Sequence, residues 1–438
     1  MASPPIQPTG RSPLIFIFLT VFIDLLGFGI VIPLLPIYSK AYGASEAELG
    51  LLFGCFSGMQ FLFAPMWGRV SDRIGRKPVL VWGLVGTAIS YLVFGLSDQV
   101  AAALIRLWPS EPPALDRLTL GVLFVSRSLA GFFGANVSTA SAFIADVTTP
   151  ENRAKGMGLI GAAFGLGFTI GPAVGGELSQ VSIEAPGIVA AALSLAAATF
   201  GWWMLKEVDR GPHKSTRLYG FDQVRGALRD QRIGGALAMG FLAVFAFSAF
   251  ESMFILFGLA KFPTYFGMEQ AVEHATRDQT FAAARYAGRY LFVVGMISAL
   301  IQGGLIRRLV PRYGETRLAI AGPALLALGL AVVGGAPTFA WVIVGCVLLP
   351  CGFGLNNPSV GSLISRASPI DQQGAYLGLQ QSLASLARML GPALAGIVFD
   401  LWGPRSPFFS AAAALLLATL LAWVYHKRYA ASFARASS

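Results

Sequence analysis

The chain has few charged residues and very few cysteines and histidines. Of its 438 residues 12% are charged, 3 are cysteines and 3 are histidines, and this charged fraction is about half that of a typical soluble domain. Cys55, Cys346 and Cys351 lie in apolar segments without metal-ligand spacing, so the sequence offers neither a disulfide framework nor a metal site. No Gly-x-x-x-x-Gly-Lys-Ser/Thr motif occurs, which excludes a built-in ATP motor of that type, and we expect no cofactor.

Long apolar segments dominate the chain. Hydrophobic residues make up 55% of it, and the mean hydropathy is +0.66. Apolar windows of about twenty residues recur, and each is long enough to cross the hydrocarbon core of a bilayer. We predict an all-α, polytopic membrane protein whose twelve transmembrane helices, spans 1 to 12, cover 13–37, 47–68, 78–97, 119–143, 150–178, 186–206, 233–259, 283–306, 317–336, 338–364, 371–399 and 406–426.

The net charge of +10 is distributed unevenly. Most of the 32 lysines and arginines fall in the tails and in the loops on one side of the predicted spans. This is the positive-inside pattern of a cytoplasmic face, and it argues against a nucleic-acid partner. We therefore expect a monomeric, multi-pass protein of the cell (inner) membrane, with the lipid bilayer as its surroundings, a retained first helix and both termini in the cytoplasm.

The chain divides into two halves at its longest polar connector, which follows span 6. We predict an N-terminal six-helix bundle at 1–206, a cytoplasmic connector at 207–232 and a C-terminal six-helix bundle at 233–438. The halves also repeat in sequence, because four positions of span 5 recur with the same spacing in span 11. They are Gly158, Gly171, Pro172 and Gly176, which correspond to Gly378, Gly391, Pro392 and Gly396.

Span 5 carries an unusual glycine pattern. Gly167, Gly171 and Gly175 lie on one helix face, and small residues let membrane helices approach closely. Pro172 lacks an N–H group and predicts a bend. We interpret span 5 as a tightly packed hinge between the halves, and span 11 as its counterpart devoted to substrate binding.

The loop after span 2 reads GRVSDRIGRKP, over 68–78. Topology alone would explain its basic residues, but not an aspartate among them or a glycine at a tight turn. The string resembles the signature loop of the major facilitator superfamily, in which the aspartate lies against the N-terminus of span 11 and the arginine pairs with an acid at the inner end of span 4. The resemblance implies a cytoplasmic gate formed by Gly68, Asp72, Arg73, Gly75, Arg76 and Asp146.

Two further stretches make the resemblance to this family more specific. Arg127 begins RSLAGFFGA, which is similar to the arginine–glycine motif of span 4 in this family. The glycine pattern of span 5 resembles the antiporter motif of twelve-helix drug exporters. The residues that match it are Gly158, Gly167, Gly171, Pro172, Gly175 and Gly176.

The nearest branch is that of the tetracycline exporters. The resemblance runs through FIDLLGFGIVIPLLP in span 1 and FAPMWGRVSDRIGRKPVL at span 2. Those exporters carry an aspartate in span 3 and another in span 9, whereas this chain has Ser90 and no acid at 318–335. Residues 247–251 and 382–388 look like the tetracycline-transporter-like proteins, whose substrates include organic anions.

Two carboxylates, Asp24 and Glu251, lie within spans. A charge at the bilayer centre costs about 2.5–3.5 kcal/mol on insertion scales, so burial favours the protonated acid and suits it to carry a proton. We assign proton coupling to both. Each acid could instead form a structural ion pair, Asp24 with Arg127 and Glu251 with Arg289 or Arg388.

Other polar side chains within spans can line a substrate cavity or join helices. The candidates for the cavity are Arg127, Arg388, Arg289, Gln60, Asn136, Asn357 and Gln380. Arg388 lies deep in span 11, so we expect it to contact substrate or a carboxylate.

The leading hypothesis is a secondary transporter, not an enzyme, that exports a small amphiphilic compound in exchange for protons by alternating access. The first alternative is an uncoupled facilitator, or an importer of a metabolite or organic anion. A more distant one is a polytopic membrane enzyme, which would need a cluster of His, Asp or Glu at one membrane face. The sequence contains no such cluster.

Overall fold

The structure is a computed structural model that describes residues 13–107, 113–134, 136–148, 150–205, 207, 225–227, 229–269, 276–369 and 372–435. Over this part of the chain it is helical and contains no β-strand. Nine of the helices described are long and apolar enough to cross a membrane. The prediction of an all-α, multi-pass membrane protein is confirmed.

The described helices form the twelve predicted spans. They are Pro13–Val31 with Leu34–Ala41 (span 1), Glu46–Ile74 (2), Arg76–Gly95 (3), Leu115–Phe133 with Asn136–Val147 (4), Pro150–Leu178 (5), Ala185–Met204 (6), Gln231–Lys261 (7), Ala284–Leu300 with Ile306–Tyr313 (8), Glu315–Gly335 (9), Phe339–Ala367 (10), Gln373–Trp402 (11) and Ser406–Arg435 (12). Short helices at Ser97–Arg106 and Arg277–Ala282 lie in the loops before spans 4 and 8.

Spans 4 and 8 are interrupted, although the sequence predicts each as one continuous helix. The first helix of span 4 ends at Phe133, and the carbonyl oxygen of the next residue, Gly134, accepts a hydrogen bond from Gln60 Nε2 of span 2 at 2.9 Å. The side chain thus satisfies a backbone group that the break exposes, as the bilayer interior requires. Span 8 contains a π-helical turn at Ile301–Leu305 between its two helices.

Each half is a bundle in its own right. In the first half, span 1 packs against spans 5 and 6, span 3 against span 6, and span 2 against span 4. In the second half, span 7 packs against spans 11 and 12, and span 9 against spans 10 and 12. Between the halves, span 2 packs against span 11 and span 5 against span 8. Of the predicted connector, 207, 225–227 and 229–232 are described.

The glycine face of span 5 packs inside the first half, not between the halves. A Cβ atom added at Gly171 would lie 2.6 Å from the backbone of Gly29 in span 1, and one at Gly175 would meet the carbonyl of Ile30. Glycine is needed at these two positions because two backbones of the same bundle cross at close range. The interpretation of span 5 as a hinge between the halves concerns its other contacts and stays a prediction.

The neighbouring face of span 5 makes the contact between halves. The carbonyl of Pro172 lies against Gly288 of span 8, and in the second half the carbonyl of Pro392 lies against Gly50 of span 2. The repeated Gly-Pro pair thus makes the same kind of contact twice, once from each half. This is the relation expected of two six-helix repeats.

The two ends of the bundle differ in packing. We call the face with the start of span 1 and the end of span 12 the terminal face, and the opposite one the far face. In span 2, buried residues are frequent up to Gly58, but none of residues 59–70 is buried. In span 11, none of residues 376–384 is buried, whereas Gly391 and Pro392 are. The halves therefore pack together in the far part of the membrane and separate towards the terminal face.

Candidate transport pathway and its gates

The first half holds an acid and an arginine beside the middle of the bundle. Asp24 of span 1 is buried, and Arg127 of span 4 is only 2% exposed. Tyr91 of span 3 lies within electrostatic range of both side chains. The Arg127 guanidinium rests on the ring of Phe56, with 4.6 Å from its carbon to the ring centre, a cation–π contact that partly compensates burial.

Arg127 retains unused hydrogen-bonding capacity. Among the described residues its Nε and Nη1 find no hydrogen-bond acceptor. A buried guanidinium donor normally has a partner, and a ligand can supply one. Arg127 is therefore the strongest candidate in the first half for contact with a polar or anionic group of a substrate.

The second half holds the other acid and arginine. Glu251 of span 7 and Arg388 of span 11 are both half-buried and lie within electrostatic range of each other. Arg388 Nη2 also donates to Ser385 Oγ at 3.4 Å. One turn before Glu251, Phe247 stacks on Phe353 of span 10 with 4.3 Å between ring centres. Of the two arginines predicted as partners of Glu251, Arg388 is the one that approaches it.

Arg289 lies away from this region. Its Nη2 pairs with Glu177 Oε1 at the end of span 5, at 2.8 Å, and its side chain is 58% exposed. Span 8 begins at Ala284, so Arg289 is less than two turns from the far face and reaches the end of span 5 rather than the cavity. The structure thus corrects its assignment to the substrate cavity and as a partner of Glu251.

The remaining polar candidates lie in different surroundings. Gln60 joins spans 2 and 4, as described above, and Gln380 is half-buried beside Gly240 and Gly361 of spans 7 and 10. Asn357 is exposed within span 10. The side chain of Asn136 lies outside the described part of the structure, as do the surroundings of Gly158.

The signature loop is held together by one arginine. Arg76 Nη2 pairs with Asp72 Oδ1 at 2.6 Å, and its Nε pairs with Asp146 Oδ2 at 3.3 Å. The arginine that reaches span 4 is therefore Arg76, whereas Arg73 is exposed in the last turn of span 2. Gly75 has a φ of 106°, a conformation that favours glycine. Residues 370–371, before span 11, lie outside the described residues, so the expected contact of Asp72 there stays a prediction.

Glu207 also contacts this loop, although the sequence does not indicate it. Its carboxylate accepts the backbone N–H groups of Arg76 at 2.8 Å and of Lys77 at 3.0 Å. It thereby caps span 3, whose preceding residue, Gly75, has no side chain to do so. The uncapped helix start signals that an acceptor is needed, but the acceptor lies 131 residues away.

Comparison with known proteins places this arrangement in a large group of carriers. The model of the Major Facilitator Superfamily matches residues 17–392 and 357–435. The class C tetracycline resistance protein of Escherichia coli is 29% identical, over 89% of this chain and 90% of its own length. Multidrug resistance protein 2 of Bacillus subtilis (strain 168) is 30% identical, over 94% of this chain and 96% of its own length.

A solved structure agrees with the fold. The crystal structure of the human organic anion transporter MFSD10 (TETRAN) superposes with a TM-score of 0.67 and 25% sequence identity. The superposition covers 95% of this chain and 100% of that one. The likeness therefore extends over both halves.

Proposed function

Because the chain belongs to the major facilitator superfamily and falls in its drug-efflux-like branch, we propose that it exports a small amphiphilic compound in exchange for protons. The two halves rock about a central site, which is open to one face of the membrane at a time. The terminal face is the cytoplasmic one, and the halves correspond to 1–206 and 233–438. Asp24 and Glu251 carry the protons.

One observation carries this proposal: each half presents an acid and an arginine near the closed end of a cleft that widens towards the terminal face. Asp24 and Arg127 share Tyr91 as a neighbour, and Glu251 lies near Arg388. In lipid, such charges are costly and mark transport pathways. The Phe247–Phe353 stack beside Glu251 offers an apolar surface for the hydrophobic part of an amphiphile.

Exchange requires that proton and substrate exclude each other. A cationic or strongly polar substrate group competes with the proton for the Glu251 carboxylate. Protonation of Glu251 removes the negative charge that attracts this group, so proton uptake at the far face releases the substrate. Proton release at the terminal face restores the charge, and the site can bind the next substrate. Arg388 keeps the empty, deprotonated acid neutralised.

The test is transport in everted membrane vesicles, with ethidium as a planar amphiphilic cation and a pH-sensitive dye to follow protons. We expect ethidium uptake to collapse the pH gradient, and Asp24→Asn and Glu251→Gln each to abolish the proton signal. Asp98→Asn is the matched control, because Asp98 lies in a far-face loop and accepts a hydrogen bond from Thr119. Uptake that ignores the pH gradient and is unchanged in Asp24→Asn would refute proton exchange.

The alternative of an organic anion substrate has its own support. Arg127 has donors that find no acceptor among the described residues, and a relative of known structure is described as an organic anion transporter. With an anion, protonation of Glu251 would free Arg388 to bind substrate, so proton and substrate would move together. Vesicles loaded with fluorescein as the anionic probe distinguish joint movement from exchange. If the substrate is an anion, protons move in the same direction as the dye.

A further inference from the structure

The far face holds a contact between the halves that the transport site does not require. Glu177, in the last turn of span 5, accepts hydrogen bonds from Arg285 Nε and Arg289 Nη2 of span 8, each at 2.8 Å. The carboxylate belongs to the first half and both guanidinium groups belong to the second. One acid thus binds two cations across the boundary between the halves.

A second contact joins the two halves, and in it the acid belongs to the opposite half. Asp400, near the end of span 11, accepts the backbone N–H groups of Glu46 at 3.2 Å and of Ala47 at 2.9 Å. These N–H groups begin span 2, and the start of a helix attracts a carboxylate through its unpaired N–H groups and its dipole. Here the acid comes from the second half and its partner from the first.

Both contacts lie just outside the close backbone crossings of Pro172 on Gly288 and of Pro392 on Gly50. In each case a carboxylate at the end of span 5 or span 11 reaches the beginning of span 8 or span 2 of the other half. The halves cannot separate at the far face without breaking both contacts. Each contact therefore exists only while the far face is closed.

We propose that Glu177 and Asp400 form a two-part far-face gate, whose strength sets how much of the protein is closed at the far face and open at the terminal face. This inference rests on alternating access between the two faces, but not on proton exchange or on the identity of the substrate. Glu177 and Asp400 are positioning residues, because they act through the packing of the halves and touch neither substrate nor proton site.

The chain provides a matched control for the ionic part of the gate. Arg117 pairs with Glu48 at 2.9 Å, also at the far face and between the same two residue types. Both partners, however, belong to the first half, at the starts of spans 4 and 2. Breaking this pair removes a similar surface interaction without favouring separation of the halves.

The experiment measures opening directly. Ala283 lies at the far face and is 0% exposed, so a cysteine at this position can be labelled only when the far face opens. The cysteine is introduced into a full-length chain whose three native cysteines are replaced by serine. Its labelling by a membrane-impermeant maleimide is followed in right-side-out vesicles. We expect Glu177→Gln and Asp400→Asn each to raise the labelling rate several-fold, and the double variant to raise it further. Arg117→Gln should leave it unchanged. Equal labelling in all of these variants, or an equal rise in Arg117→Gln, would overturn the proposal.

A second measurement separates a gate from general loosening of the fold. Asp72→Asn removes the carboxylate that the family resemblance places against span 11 of the other half at the terminal face. It should therefore favour the opposite state from Glu177→Gln when both are present. We expect the combined variant to label at a rate closer to that of the parent than Glu177→Gln does alone. A labelling rate higher than in either single variant would show loosening and refute the gate. Neither result depends on whether proton exchange occurs, so the two proposals fail separately.

Discussion

Glu315, the first residue of span 9, pairs with Arg366 in the last turn of span 10, with 3.0 Å between Oε2 and Nη1. The corresponding place in the first half is held by Arg76, the first residue of span 3, which pairs with Asp146 near the end of span 4. The geometry is conserved between the repeats while the two charges are exchanged. The loop before span 9 keeps Arg307, Arg308 and Gly314 of the signature pattern but has no aspartate. In the structure, an ion pair nevertheless forms where this loop meets span 9.

This relationship predicts that the charges of the second pair can be exchanged. Glu315→Gln leaves a partly buried guanidinium without its acid, which should lower the free energy of unfolding by about 1–3 kcal/mol. The double variant Glu315→Arg, Arg366→Glu should recover most of this loss, because it reproduces the polarity of the first half. The measurement is unfolding by dodecyl sulfate in mild detergent micelles. Arg317→Gln, at an exposed neighbouring position, should change little; no recovery in the double variant would contradict the equivalence.

The signature loop predicts a sharp difference between its two arginines. Arg76 bridges Asp72 and Asp146, and a lysine cannot reproduce this two-sided contact with a single ammonium group. We expect Arg76→Lys to reduce transport on the order of tenfold or more, since one charge-assisted hydrogen bond is worth about 1.5–3 kcal/mol. Arg73→Lys, at an exposed position of the same turn, should retain most activity. Initial rates of uptake in vesicles, at matched expression, decide this, and equal losses in the two variants would show that the bridge is unimportant.

The close packing of Gly171 on span 1 leads to a third prediction. In Gly171→Leu the new side chain would begin 2.6 Å from the backbone of Gly29, so spans 1 and 5 would be forced apart at a cost of at least about 1–3 kcal/mol. Transport should be lost together with stability of the first half. Gly165 lies in the same helix with open space around it, and Gly165→Leu should be tolerated. Thermal unfolding and transport are measured for both variants. A Gly171→Leu protein of normal stability without transport would show that this glycine serves movement rather than packing within the first half.

Local properties of the sequence are sufficient to predict the spans, the two repeats and the two acids within the membrane, because hydropathy and residue spacing act along a single helix. They do not predict which groups meet. Arg289 has Glu251 and Glu177 as conceivable partners, and only the packing of span 8 on span 5 selects Glu177. Glu207 and Asp400 are missed for the same reason, since each caps a helix that is remote in sequence. The contacts that join distant helices are tertiary features, whereas the spans are local ones.

The proximity of Glu251 to Arg388 provides the last prediction. Removing only the acid or only the base leaves one charge in the membrane interior without its counterpart, at a cost of about 2.5–3.5 kcal/mol on insertion scales. Arg388→Gln should therefore lower the amount of folded protein more than the double variant Arg388→Gln, Glu251→Gln, in which both charges are absent.

The double variant should nevertheless fail to move protons, because it lacks a carboxylate to which we assign proton transport. Folded protein is measured by fluorescence-detected size-exclusion chromatography, and proton movement by a pH-sensitive dye in vesicles. Asp98→Asn, which removes a carboxylate from a far-face loop, is the control and should leave both measurements unchanged. If the double variant were less stable than Arg388→Gln alone, the two side chains would not neutralise each other. Restored stability with lost proton movement would instead separate the structural role of the pair from the transport role of Glu251.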